Sequence, residues 1–167
     1  GYADTWDALG SHAAPEEKQR ILKDPRMGAF GGIHLCTYFV ALFALCCSLR
    51  EYQAGAMGLM FCLSRSLSGL AVATFPMARN TGLAHTFAAA ADQKRVRWVL
   101  AGLSLVLMTL LFLGWGLVGA GMSLAALGVF FWYRHMAIKE FGGLSGDLAG
   151  WFLQTAELWM IGAMVLC

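Results

Sequence analysis

From Trp98 to Tyr133 the chain runs for 36 residues without a charged side chain. As a single helix this run would be about 54 Å long, whereas the hydrocarbon layer of a bilayer is only about 30 Å thick. It therefore has to double back. The cluster Gly114, Gly116, Gly119 and Gly121 marks the reversal, because glycine accepts the positive φ angles of a tight hairpin. Two spans are expected, at 98–114 and 118–133.

Three further apolar stretches follow the same logic. Residues 28–49 carry no charge and are long enough to cross, and the turn Arg50-Glu51-Tyr52-Gln53 separates them from a second span at 54–75. Arg65 sits near the middle of that second span, and Pro76 ends it. A fifth span, 151–166, contains Glu157. The chain is 59% apolar and only 13% charged, against about 45–50% and about 25% for soluble domains, and its mean hydropathy is +0.62. The expected fold is all-α: a polytopic membrane bundle of about five transmembrane helices in one domain, 1–167, preceded by a polar segment 1–27. A dispersed net charge of +2 excludes a nucleic-acid binder.

Cys36, Cys46, Cys47, Cys62 and Cys167 all lie in apolar stretches without metal-ligand spacing, and read as small buried hydrophobes. No basic segment with a small-residue cleavage site precedes the first apolar run, so no signal peptide is expected. The first residue is Gly rather than Met, which points to a fragment or a processed chain.

Counting crossings puts 1–27, 76–97 and 134–150 on one side. That side holds Lys18, Arg20, Lys23, Arg26, Arg79, Lys94, Arg95, Arg97, Arg134 and Lys139, while Arg50 alone lies on the other. By the positive-inside rule the first side is cytoplasmic. Asp4 and Asp7 share it, so one cytoplasmic site can draw on every polar cluster.

Four clusters stand out. Asp4 and Asp7, three residues apart, share a helical face as a hard cation such as Mg²⁺ requires, although a helix cap or a solvated acid fits the same spacing. After them, Pro15-Glu16-Glu17-Lys18-Gln19-Arg20-Ile21-Leu22-Lys23 has proline and acids at a helix start and reads as a surface helix. Lys23 and Arg26 beside it suit a phosphate, or simply anchor the topology. The second cluster is Ser64-Arg65, with Arg79 at the end of the same span. An arginine near mid-membrane needs a partner or a cavity, and Glu157 is an alternative structural partner. Arg79 suits a bidentate grip on phosphate, or snorkels. In the third, Gly142–Gly150, glycines allow close approach of an anion to backbone amides, and Asp147 adds a ligand beside Gly146. Last, His12, His34, His85 and His135 show no ligand spacing, with His12 and His85 the better site neighbours.

Taken in order, "GYADTWDALGSH", "ILKDPRMGAFGG", "LSRSLSGLAVATFPMARNTGLAHTF" and "GGLSGDLAGWFLQTAE" resemble the motifs of the cobalamin synthase family, the adenosylcobinamide-GDP ribazoletransferases. The resemblance spans almost the whole chain. It implies a multi-pass enzyme of the bacterial inner membrane that uses Mg²⁺ to join α-ribazole to adenosylcobinamide-GDP, releasing GMP. Carried over residue by residue, it implies metal binding and catalysis by Asp4, Asp7 and Asp147. It implies phosphate contacts from Lys23, Arg26, Arg65, Arg79 and Gly146, with Ser64 and Glu157 as further polar groups in the membrane. Asp24, Gly28, Gly82 and Leu83 also fall on family motifs. The family's acidic motif normally has a further Asp before the glycine matching Gly1, and its earlier apolar segments have no counterpart here, so the chain reads as N-terminally truncated.

Two other classes compete. A CDP-alcohol phosphotransferase would share clustered aspartates and Mg²⁺, but needs an arginine that "GYADTWDALG" lacks. A transporter or membrane scaffold would use Arg65 and Glu157 to line a pathway, without metal. No residue specifies a partner protein, and a homo-oligomer is compatible with the pattern.

Overall fold

A computed structural model describes residues 1–78 and 93–166. Among them are two short helices, α1 (Tyr2–Gly10) and α2 (Pro15–Ile21), and five long ones. The long helices are α3 (Ala29–Cys47), α4 (Ala54–Thr74), α5 (Gln93–Trp115), α6 (Leu117–Phe141) and α7 (Gly146–Leu166). All five are long and apolar enough to cross a membrane, with a 3-10 turn, Glu51–Gln53, leading into α4.

The expected spans are found, with different ends. The 36-residue uncharged run breaks at Gly116 alone, with φ +56°, a conformation that side-chain-bearing residues rarely adopt. Gly119 then passes so close to the Leu111 carbonyl that a Cβ would lie 2.0 Å from its oxygen. The cluster therefore divides its work between turning and close packing. Expected as 98–114 and 118–133, the two arms extend outward to Gln93 and Phe141 and so take in Lys94, Arg95, Arg97, Arg134, Lys139 and Glu140. Long cationic side chains reach water from the ends of a span, so charge does not terminate a helix as sharply as it bounds the hydrocarbon. The fifth span likewise begins at Gly146 rather than 151, which puts Asp147 in its first turn. At the other boundaries, 28–49 narrows to Ala29–Cys47 and 54–75 to Ala54–Thr74.

The core lies between α4, α6 and α7. Ala56, Met60, Leu63, Leu67 and Ala71 recur at helical spacing along one face of α4, against Met122, Ala126 and Phe130 of α6 and Trp151, Phe152, Ala156 and Met160 of α7. Within lipid the hydrophobic effect contributes little to helix association, so close packing and interhelical hydrogen bonds hold the bundle. Ser66 supplies two such bonds, pairing with Ser104 at 2.9 Å and donating to the Leu100 carbonyl at 3.1 Å, which joins α4 to α5. At the far end Gln53 donates to the Met164 carbonyl at 2.9 Å, tying the 3-10 turn to α7. On the opposite side of the bundle the segments after α4 and α6 meet, since Leu144 donates to the Pro76 carbonyl at 2.8 Å and Ala78 to the Leu144 carbonyl at 3.0 Å.

α3 stands at the edge with only Gly31 and Tyr38 buried. The first helix is not a peripheral element, because α1 packs antiparallel along α3. Gly10 meets Phe30, Trp6 stacks on His34 at 3.8 Å between ring centroids, and Tyr2 reaches Tyr38 at 5.1 Å. α2 is the expected surface helix, held to α6 by an ion pair between the buried Lys18 and Glu140 and by Gln19 donating to the Phe141 carbonyl at 2.7 Å.

Candidate active site

Asp7 explains why α1 lies where it does. Its two carboxylate oxygens accept hydrogen bonds of 2.7 Å from the backbone amides of Gly28 and Gly31, which are unpaired donors at the start of α3. A Cβ at either glycine would come within 2.4 Å of that carboxylate, so only glycine lets the acid settle there. The acid thus serves as a remote cap, favoured by the positive end of the helix dipole.

With Asp7 turned to the backbone, Asp4 is carried round to the opposite neighbour. The Gly1 nitrogen lies 2.9 Å from Asp4 Oδ2 and 4.0 Å from Asp147 Oδ1, so two carboxylates from opposite ends of the chain approach the same backbone nitrogen. Both are partly exposed. Among the described residues, neither has both oxygens held by backbone amides as Asp7 does.

Beside this pair, and reached through Gly1, a cavity of about 550 Å³ opens between α1, α3, α4 and α7, lined by Tyr2, Tyr38, Arg65, Gln154 and Glu157 among others. At its floor Arg65 forms an ion pair with Glu157, while Ser64 donates to Glu157 Oε1 at 2.7 Å and accepts from Arg65 Nη1 at 3.1 Å. The carboxylate is only 13% exposed and the guanidinium 58%, so Glu157 anchors a cation that faces the cavity. Both readings of Arg65 are thereby combined, since its partner is structural and its outer edge remains accessible. Burial raises the Tyr2 hydroxyl above its ordinary value and keeps it a neutral donor at the cavity wall.

The other expected residues lie elsewhere. Arg26 donates from Nε and Nη2 to the two oxygens of Asp24, at 3.0 and 2.9 Å, and its own backbone amide donates to Oδ1 at 2.9 Å. These bonds hold the Asp24 carboxyl down at about 2. Neither Arg26 nor the exposed Lys23 lines the cavity. Gly146 opens the first turn of α7 beside Asp147. Arg79, Gly82, Leu83 and His85 lie outside the described residues. His12 lines a separate cavity with Lys18 and Trp132, and His34 is stacked on Trp6.

The expected three-aspartate metal set does not assemble. Among the described residues no three His, Cys, Asp or Glu side chains gather closely enough to hold a metal. Of the three, Asp4 and Asp147 approach a common neighbour, and Mg²⁺ commonly takes one or two carboxylates and completes its shell with water and substrate phosphate. Tyr2, Tyr38 and Gln154 were missed from sequence. A signal for Gln154 existed, because Asp147, Gly150, Gln154 and Glu157 recur at helical spacing along one stripe of α7.

The sequence profile of the cobalamin-5-phosphate synthase family matches residues 1–165. The chain belongs to this family. Curated relatives named adenosylcobinamide-GDP ribazoletransferase include that of Lachnoclostridium phytofermentans, 39% identical over 99% of this chain and 63% of its own length. Those of Ectopseudomonas mendocina and Desulfitobacterium hafniense are 36% and 32% identical over 99% of this chain and 67% and 66% of their own lengths. The chain thus spans about two thirds of the length of the curated relatives it matches. No solved structure matches it. The matched residues include all four motif blocks, and the cavity beside Asp4 and Asp147 is taken as the candidate active site.

Proposed function

We propose that this chain carries out, within its whole protein, the transfer that joins α-ribazole to adenosylcobinamide-GDP and releases GMP, at the cytoplasmic face of the bacterial cell membrane. The observation that carries this reading is the approach of Asp4 and Asp147 to Gly1, which itself lines a cavity that also holds Arg65. Two carboxylates without a cationic side-chain partner among the described residues, near a fixed arginine, suit a diphosphate, because the acids can share a divalent ion with its oxygens while the arginine meets the remaining charge. The grouping of basic residues on the same side supports the cytoplasmic assignment.

A ribose hydroxyl oxygen of α-ribazole attacks the phosphorus nearer cobinamide, the bond from that phosphorus to the GMP oxygen breaks, and the hydroxyl proton passes to a base. Asp4 and Asp147 are the nearer candidates for that base, one of them when the other holds the metal, because both Asp7 oxygens already accept backbone amides at the start of α3. Asp4 and Asp147 would hold Mg²⁺, which when bound would supply neutralisation of the diphosphate charge. Arg65, oriented by Glu157 and Ser64, stabilises charge that builds on the phosphoryl oxygens.

The test is to supply membranes containing the intact protein with adenosylcobinamide-GDP, α-ribazole and Mg²⁺. Cobalamin and GMP in equal amounts support the proposal. Turnover of a CDP-alcohol instead, or no turnover with any pair of nucleotide and alcohol, overturns it.

A further inference from the structure

We propose that the cytoplasmic end of α6 binds an anionic phospholipid, with the headgroup phosphate between Arg134 and Lys139 and the upper acyl chain against Phe131. A cavity of about 420 Å³ on the outer face of this helix is lined by Phe131, Arg134, His135, Ile138 and Lys139. It lies apart from the cavity beside Asp4 and Asp147, and the inference does not depend on the reaction.

Depth is fixed by the sequence. The uncharged run ends at Tyr133, so Arg134 is the first charge above the hydrocarbon layer and Phe131, one turn lower, lies within its edge. Phe131 is 62% exposed and Ile138 43%, an apolar wall that a soluble anion would leave uncovered but that an acyl chain and glycerol match.

Charge points the same way. Glu140, next to Lys139, is paired with Lys18, and among the described residues neither Arg134 nor Lys139 forms an ion pair. The Arg134 guanidinium instead lies 6.0 Å from the centre of the Phe75 ring, which holds the cation in place without neutralising it. Two uncompensated cations at headgroup depth, beside an exposed aromatic wall, complement a lipid phosphate carrying net negative charge.

The test reconstitutes the intact protein in nanodiscs of phosphatidylglycerol and phosphatidylcholine with identical acyl chains, then counts retained lipids by native mass spectrometry. Phosphatidylglycerol should be retained in preference. Arg134→Gln and Lys139→Gln should each lower the preference roughly fivefold, and the double variant roughly thirtyfold, from about one surface charge's contribution each. Should the double variant fail to fold by circular dichroism, the single variants decide. Equal retention of the two lipids, singles that keep the full preference, displacement by inorganic phosphate, or an equal loss in Lys94→Gln, a cation outside the groove, would each overturn the proposal.

Discussion

The candidate site has two halves that handle charge in opposite ways. At its floor, Arg65, Glu157 and Ser64 satisfy one another, with a cation, an anion and a hydroxyl joined in one small network. At its mouth, Asp4 and Asp147 bring two negative charges together, with no cationic side chain paired to either among the described residues. A self-contained cluster keeps its geometry whether or not a ligand is present. A pair of facing carboxylates repels itself and gains most when a cation arrives from outside. On the proposed reading the first group positions and the second binds.

The sharpest way to break this contrast is at the mouth. Asp4→Asn or Asp147→Asn should lower cobalamin formation on the order of a thousandfold, because several kcal/mol of charge stabilisation rests on the shared cation. The measurement is initial rate against Mg²⁺ concentration, with membrane insertion unaltered. Normal turnover in both variants would dissolve the distinction. At the floor, Glu157→Gln should instead act on stability, lowering it by about 1–2 kcal/mol in denaturant titrations, since Arg65 is more than half exposed and partly screened. Arg65→Gln combined with Glu157→Gln should recover much of that loss, and a double variant no more stable than Glu157→Gln would show that the two groups do not act as a pair.

Asp7 provides a third comparison on the same helix as Asp4. Asp7→Ala should cost about 1 kcal/mol as a lost helix cap, while the Mg²⁺ concentration for half-maximal rate stays unchanged. A shifted Mg²⁺ requirement would place Asp7 among the ligands after all. The smallest effect belongs to Asp24, well away from the cavity. Its carboxyl is held at about 2, below an ordinary 3.8, so its bonds to Arg26 contribute above the ordinary value and are lost as pH falls through about 2. Arg26→Gln should return the Asp24 midpoint, followed by carboxyl NMR, to near 3.8.

Much of this was legible in the chain, for reasons that individual residues make plain. Uncharged runs have no choice but to span, and an arginine inside one has to find a partner, so the five helices and the meeting of Arg65 with Glu157 follow from the cost of charge in lipid. Gly116 was visible as a reversal point for the same kind of reason. The aspartates were harder. A spacing of three residues puts Asp4 and Asp7 on one face of a helix, yet it says nothing of what that face meets. Two glycine amides at the start of α3 captured one acid, and Asp147 came to face the other. Such long-range partners depend on how α1 lies against α3, which local pattern does not encode. Arg26 pairs instead with Asp24, a neighbour two residues away.

The carboxylate that fastens α1 to α3 makes a lever of the first ten residues. Leu35 and Tyr38, on the strapped helix, form one wall of the cavity, and Gly1 and Tyr2 form another. The hydrogen bonds of Asp7 therefore fix how far apart two walls of the chamber stand.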